Sequence, residues 1–596
     1  MDDPTSSSVP PGIEHAKSAT IANARKTPPP ERPESVRIRS YIILSFWAVV
    51  ICLGLPFWWR TTNVHRAHLP LGEMMDWAEG RACRPVFPLH ITIEAPALQE
   101  QDAQHLVRTT QHALDDLNEF SAHHLRLSLS PISPNTNVND GTTASTLSYS
   151  GEQEAEQDSA LVVRLLPGEA GSTPSAELQS SSPTLDVYYT PNQIPSTSST
   201  SSPLANFIAD RLQEIFAEEQ AMIAYILSAN PTGNNPSSSS SIGAIPQHPA
   251  TAIPTNRESR SNPIKSLSPD LAASLARRTT RSLKYSPTYH LTFSLFTPNS
   301  SPSSWDIEAA LEEYLAPLLD SLSSISNFTV DTQVQLYALF SPSIQEPEHD
   351  ANQGRWTLRK EDLSGFINAA EWPLSPSIGT GPTVNFVLYV PSEDKVPLVV
   401  KENGAHSWLV PQWGGVTILN RPTESLAASN RSHLSKEALR PAILTFSHQL
   451  LSLLGTSQSP SSLPLRLLTM TRVRAASLLF SASSTLGSLA RLTQALPSIS
   501  IPESVAMSVD TTISHLHNAC ADLREGRFQS ALENGRVAEA EAERGFFEKS
   551  MVGQVYFPDE HKVAVYLPLL GPVGVPLVMG ALKELRNLRQ RWRGSV

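Results

Sequence analysis

The residues best suited to chemistry in this chain lie in one short run, His515-Leu-His-Asn-Ala-Cys520. A thiol nucleophile needs a base within hydrogen-bond reach and an exposed, electropositive setting, and His515 or His517 could serve as that base. Such a pair would suit a membrane-anchored hydrolase or transferase. The spacing argues against it, because Cys520 falls on the apolar stripe Val505, Val509, Ile513, Leu516, Cys520 and Leu523 of its own helix. Free cysteine is among the most buried residue types, so a small core thiol is the plainer reading. His123-His124 opens a strand and offers at best half of a metal site, and both histidines read as surface residues. There is no His-Glu-x-x-His pair to hold zinc, no Asp-x-Asp for a sugar-nucleotide metal and no Gly-x-Ser-x-Gly nucleophile elbow. No catalytic, metal or cofactor-binding residue is assigned, and no cofactor is expected.

One loop has the makings of a contact site: Trp408-Leu-Val-Pro-Gln-Trp-Gly-Gly-Val-Thr-Ile418. Gly414 and Gly415 permit close backbone approach or positive φ directly after the Trp413 indole. Trp413, Gly414 and Gly415 are therefore candidates for touching a partner, set against the simpler reading of a tight turn closed by a core tryptophan.

These residues must be positioned by a chain with two apolar runs. Val563–Leu582 is twenty residues without a charge, enough to cross a hydrocarbon core of roughly 30 Å as a helix. Lys583, Arg586, Arg589, Arg591 and Arg593 follow it, so the positive-inside rule puts the C-terminus in the cytosol. Pro568, Pro572 and Pro576 stack on one face and free the carbonyls of Ala564, Pro568 and Pro572. An unsatisfied carbonyl in lipid costs several kcal/mol, which makes those prolines candidates for docking against another protein's helices. The second run, Tyr41–Trp59, has arginines on both flanks and no small-residue cleavage site, and reads as an uncleaved signal anchor.

This arrangement predicts an α/β lumenal domain, residues 60–562, between two transmembrane helices, 41–59 and 563–582. A disordered cytosolic tail at 1–40 and a basic cytosolic tail at 583–596 complete it. Alternating apolar residues mark strands at Ile91 and Ile93, at Leu125 to Leu129 and at Leu185 to Tyr189, with helical spacing at Leu106 to Phe120 and Ile208 to Ile226. The order recurs from Tyr289 to Leu454, through strands at 289–295, 334–338 and 384–390. Two lobes, 86–228 and 286–455, are the expectation, each of mixed strand-helix order, followed by a helical C-terminal segment at 464–547. Many of the 49 prolines stand beside serines, in stretches too polar to offset chain entropy. Disordered insertions are expected near 131–158, 168–183, 195–202, 230–268 and 341–354.

A net charge of -12, with no basic, aromatic-studded face between the two apolar runs, argues against nucleic acid as a partner. Of three cysteines, Cys52 lies in an apolar run, while Cys83 and Cys520 share the lumenal side, which leaves a disulfide between them open. Asn299, Asn327 and Asn430 head glycosylation sequons, a number near chance for a loop of this length.

Phe46-Trp47, Gly54-Leu-Pro-Phe-Trp-Trp-Arg-Thr-Thr62, Val64-His-Arg-Ala67 and Leu69-Pro70 closely resemble the N-terminal signature of the PIG-S subunit family of glycosylphosphatidylinositol (GPI) transamidase. Pro411-Gln-Trp-Gly-Gly415, Gln449-Leu450 with Leu454-Gly455, and Tyr556–Lys562 leading into Tyr566-Leu-Pro568 resemble it too, in the same order. The resemblance implies a non-catalytic structural subunit of the endoplasmic-reticulum complex that removes a C-terminal signal peptide and attaches a GPI anchor. Its implied partners are a separate cysteine-protease-like catalytic subunit, multi-spanning membrane subunits, membrane lipid and the proprotein substrate. A lumenal receptor for glycans or peptides is a further alternative.

Overall fold

The computed structural model describes residues 32–62, 65–118, 120–130, 159–169, 173–195, 199, 202–229, 269–339, 345–367, 381–421, 432–497, 499–551 and 559–593. The chain divides into two units, one formed by Met1–His65 with Gly553–Val596 and the other by Arg66–Val552.

In the first unit the N-terminal apolar run is helical: α1 (Pro33–Val49), a single π-type turn at Val50–Gly54, and α2 (Leu55–Thr62). Pro33 opens α1, where its missing N–H has no intrahelical acceptor to lose. Among the described residues, Arg37–Phe57 is the one helix long and apolar enough to cross a membrane.

The second unit starts with α3 (Leu71–Ala78) and continues β1 (Phe87–Glu94), α4 (Glu100–Leu117), β2 (His123–Leu129), β3 (Leu161–Pro167), β4 (Ser175–Leu178), β5 (Thr184–Tyr189) and α5 (Pro203–Ala229). The strands form one sheet in the order β2-β1-β3-β5-β4, parallel except for β4. Alternation in β1 buries Leu89, Ile91 and Ile93 on one face, where they meet Leu106 of α4 and Ile208 and Leu212 of α5.

After α6 (Pro269–Arg281) the same order returns at larger scale. The elements are β6 (Thr288–Phe296), β7 (Ser304–Trp305), α7 (Ile307–Tyr314), α8 (Ala316–Leu322), β8 (Asn327–Gln335), β9 (Glu348–Asp350), β10 (Arg355–Leu358), β11 (Thr383–Tyr389), β12 (Leu398–Val400), β13 (Ser407–Val410), β14 (Gly414–Ile418), β15 (His433–Leu434) and α9 (Lys436–Leu453). The larger sheet runs β8-β6-β11-β14-β13, again parallel except for the edge strand of a hairpin. Strand for strand this is the topology of the first sheet: the first strand beside the one after the helix, then the third, then the hairpin with its antiparallel member outermost. Small pairings, β9-β10-β12 and β7-β15, are the additions.

Parallel strands covered on both faces read as continuous apolar runs. β6 and β11 behave so, with Phe293 and Phe386 stacked at 5.2 Å and Phe446 of α9 tilted against both. The other face carries Phe296, Val387 and Tyr389 against Phe366.

The C-terminal segment is three helices, α10 (Leu463–Ala495), α11 (Glu503–Glu525) and α12 (Phe528–Phe546). The stripe from Val505 to Leu523 is buried along its whole length, as are Leu486 and Leu489. In the first unit, α13 (Asp559–Arg593) contains Val563–Leu582 and passes all three prolines without a break, and Ser40 of α1 donates to the carboxylate of Glu584.

Three expectations change. Residues 168–183 include the edge strand β4, and 341–354 include β9; short polar strands escape reading by composition because one neighbouring backbone suffices to hold them. The strand expected through Val334, Leu336 and Ala338 ends at Gln335. The insertions at 131–158 and 230–268 and the tail before Arg32 lie outside the described residues.

Candidate functional site

Cys520 carries no thiol. It is bonded to Cys83, with the two Cα atoms 6.2 Å apart at a sequence separation of 437. The flanking histidines have other partners: His515 Nδ1 lies 2.8 Å from Asn534 Oδ1, and His517 Nε2 lies 3.1 Å from Glu73 Oε1, its ring edge-on to Trp77 at 5.0 Å. A cysteine nucleophile paired with either histidine is thereby excluded. What the run builds instead is a seam, since the disulfide and the His517 contacts tie the segment around α3 to α11.

His123 corrects a second expectation. It opens β2, as alternation suggests, but is 3 % exposed and faces inward. Its Nε2 is 3.7 Å from Glu219 Oε1 of α5 and has no hydrogen-bond partner among the described residues. Glu219 is held by Arg472 of α10, which donates from Nε at 2.5 Å and from a terminal nitrogen at 2.7 Å, while the Thr469 hydroxyl donates at 2.7 Å. The Arg472 guanidinium also lies 5.6 Å from the Phe528 ring. Burial by itself would push the Glu219 carboxyl up, but the charge and hydrogen bonds of Arg472, with a smaller contribution from His123, hold it well below the usual carboxylate range. This fork-on-carboxylate geometry is the strong form of an ion pair. It joins the first sheet's last helix to the C-terminal helices. Sequence reading missed it, although a signal exists. Glu219 interrupts the stripe Ile208, Leu212, Ile215, Ile223, and Arg472 falls between Leu465 and Leu479 at helical spacing. Paired charges on two apolar faces have each other as the economical explanation.

The hairpin β13-β14 contains Trp413, Gly414 and Gly415. Gln412 takes φ +59° in its turn, and Trp413 is half-buried against the cluster containing Val416 and Tyr389. A Cβ on Gly414 would overlap the backbone of Asn385 on β11, and one on Gly415 would overlap the side chain of Gln449 on α9. Gln449 in turn donates from Nε2 to the Trp408 carbonyl at 3.1 Å. Both glycines are thus required by close approach within the chain. On the C-terminal side of α9, Gly455 adopts φ +79° and ends the helix, and Arg474 donates to the Leu454 carbonyl at 2.6 Å.

Pro568, Pro572 and Pro576 are exposed on α13. Asn299 follows β6 and Asn327 begins β8, both exposed, whereas Asn430 lies outside the described residues.

A family model described as "Phosphatidylinositol-glycan biosynthesis class S protein" matches residues 45–591. The chain is 28% identical over 584 residues to the GPI-anchor transamidase component PIGS of Bos taurus, covering 92% of this chain and 95% of that protein. The human protein of the same name is 27% identical over the same shares. The GPI transamidase component PIG-S homolog of Schizosaccharomyces pombe is 31% identical over 325 residues, 52% of this chain and 56% of that one. With a match that runs through both sheets, the three C-terminal helices and α13, this chain belongs to the PIG-S family.

Proposed function

We infer that this chain is a subunit of the GPI transamidase complex and that it supports anchor attachment without performing it. The observation that carries the reading is end-to-end similarity to GPI-anchor transamidase components, 92% of this chain against 95% of theirs. Its role is architectural: the best nucleophile candidate is consumed in a disulfide, and in the family the cysteine-protease-like chemistry belongs to another subunit. The two helical runs cross the endoplasmic-reticulum membrane, both termini are cytosolic, and residues 60–562 are lumenal, with two lobes near 86–228 and 286–455. The arginine-rich stretch after Leu582 supports that orientation, and the Cys83–Cys520 bond suits an oxidising lumen. Pro568, Pro572 and Pro576 dock on a multi-spanning subunit, which supplies donors for the carbonyls they leave free. The Trp413 hairpin is a second contact for a partner subunit.

Gentle detergent extraction of the tagged chain tests this. It should co-purify with the catalytic and multi-spanning subunits, and migration as a lone monomer would overturn the assignment. Replacing all three prolines with leucine should reduce recovery of the multi-spanning partner while membrane insertion persists; unchanged recovery would remove the docking claim.

A further inference from the structure

We propose that the cleft between α6, α9 and the start of α10 binds the phosphate ester of a sugar or polyol. The last turns of α6 bring Arg277, Arg278 and Arg281 to one side of it, α10 brings Arg466, and α9 brings His448. The cleft holds about 500 Å³, room for a phosphorylated sugar and more than a bare phosphate needs. Four arginines line it, and the nearby carboxylate, Glu218, is already ion-paired with Arg278 and accepts from the Ser459 N–H at 3.3 Å. Glu219, next along α5, is spent on Arg472.

Arg277, Arg281 and Arg466 make no side-chain hydrogen bond or ion pair among the described residues. The Nε of Arg466 is buried and has no partner among the described residues. Burial pulls the Arg466 pKa down, and the positive charge of Arg278 adds to this against the opposing pull of Glu218. Cations near the end of α6 could be accounted for by its dipole alone. Arg466 cannot, since it enters from a different helix. An anion in the cleft would offset the mutual repulsion of these cations. Guanidinium forks match phosphate oxygens, and the rest of the lining is hydroxyl and amide side chains with one leucine, Leu409, which suits a hydroxyl-rich moiety and not an acyl chain.

The Pro411–Gly415 turn has a part in this. Gln412 donates from Nε2 to the Thr280 carbonyl at 3.0 Å and from its backbone N–H to the Arg281 carbonyl at 3.3 Å, so the hairpin clamps the end of α6 on which the arginines sit. Gln412 is a positioning residue for the cleft.

The proposal stands on the arginine geometry and does not depend on membership of the complex. The full chain, purified in detergent, is titrated with glucose 6-phosphate, inorganic phosphate and glucose, with binding read by calorimetry. Glucose 6-phosphate should bind more tightly than phosphate, and glucose should not bind. Arg466→Gln and the double variant Arg277→Gln/Arg281→Gln should each lower affinity on the order of tenfold. Gln412→Ala should lower it about threefold, within the cost of one lost positioning contact. Arg440→Gln, a cation lying over Tyr314 elsewhere on the chain, should change nothing. Arg277 and Arg281 are exposed, so unaltered thermal unfolding will show that their double variant is folded. Vesicles containing phosphatidic acid separate the sources: binding that glucose 6-phosphate displaces assigns the phosphate to a lipid headgroup in the same cleft. Vesicle or polyglutamate binding without such displacement, no binding at about 10 mM, or equal binding by the arginine variants would overturn the proposal.

Discussion

The carboxylate of Glu219 is buried, and three donor groups on α10 converge on it. A buried ion pair adds little over apolar residues of the same volume, yet removing one partner strands the other charge. Arg472→Ala should therefore cost about 3–5 kcal/mol, and Glu219→Leu/Arg472→Met much less than the sum of its single changes. Denaturant unfolding of the purified chain, followed by tryptophan fluorescence, measures both. Glu539 of α12 is the opposite case. It is 8 % exposed, accepts from the Ser481 hydroxyl at 2.7 Å, and its Oε2 has no hydrogen-bond partner among the described residues. Burial raises its pKa, and the nearby Glu543 adds to that. A carboxyl whose pKa is higher folded than unfolded contributes fully below the unfolded value, ~4.3, and loses that contribution as pH rises through the folded value. Glu539→Gln should consequently raise the thermal midpoint at pH 7, and the gain should vanish as pH falls below about 4. A gain that persists at acidic pH would show that charge is not the cause.

At the scale of elements, the β13-β14 hairpin owes its seat to two missing side chains. Gly414 lies against β11 backbone, which cannot yield; Gly415 lies against Gln449, a flexible side chain that can. Gly414→Ala should thus destabilise by about 1–3 kcal/mol, the usual cost of overpacking, and Gly415→Ala by less. Shortening the obstacle in Gly415→Ala/Gln449→Ala should recover part of the loss, a coupling that a double-mutant cycle on thermal midpoints reads directly. An additive result would mean that the close approach of β14 to α9 does not set the position of the hairpin. The Trp-Gly-Gly pattern is visible in the sequence, but its obstacles are not, because Asn385 and Gln449 come from other elements.

For the whole molecule, the Cys83–Cys520 bond closes a 437-residue separation and so restricts the unfolded chain across both sheets. Loop entropy suggests that Cys83→Ser should cost a few kcal/mol, with the same loss for Cys520→Ser and no further loss in the double variant. Thermal unfolding with and without reductant tests it: a Cys83→Ser chain as stable as the oxidised parent would deny the bond a structural role. The repeated sheet order explains why the bond suits this fold. Each sheet buries its own helices, and the joints between sheets and C-terminal helices, at Glu219 and at the disulfide, are where distant parts of the chain are tied together.

Much of this protein is legible along the chain. Alternation at Leu89, Ile91 and Ile93, helical spacing from Val505 to Leu523 and the uncharged run around Phe46 depend on neighbours within a few residues, which is why composition and period find them. The order of family motifs is likewise a property of the chain alone. Strand order, the inward face of His123, the pairing of Cys83 with Cys520, the Glu219–Arg472 fork and the gathering of Arg277, Arg281 and Arg466 were decided by tertiary structure. Each joins residues whose separation in sequence carries no period, so only the packing of one element on another determines which charge meets which.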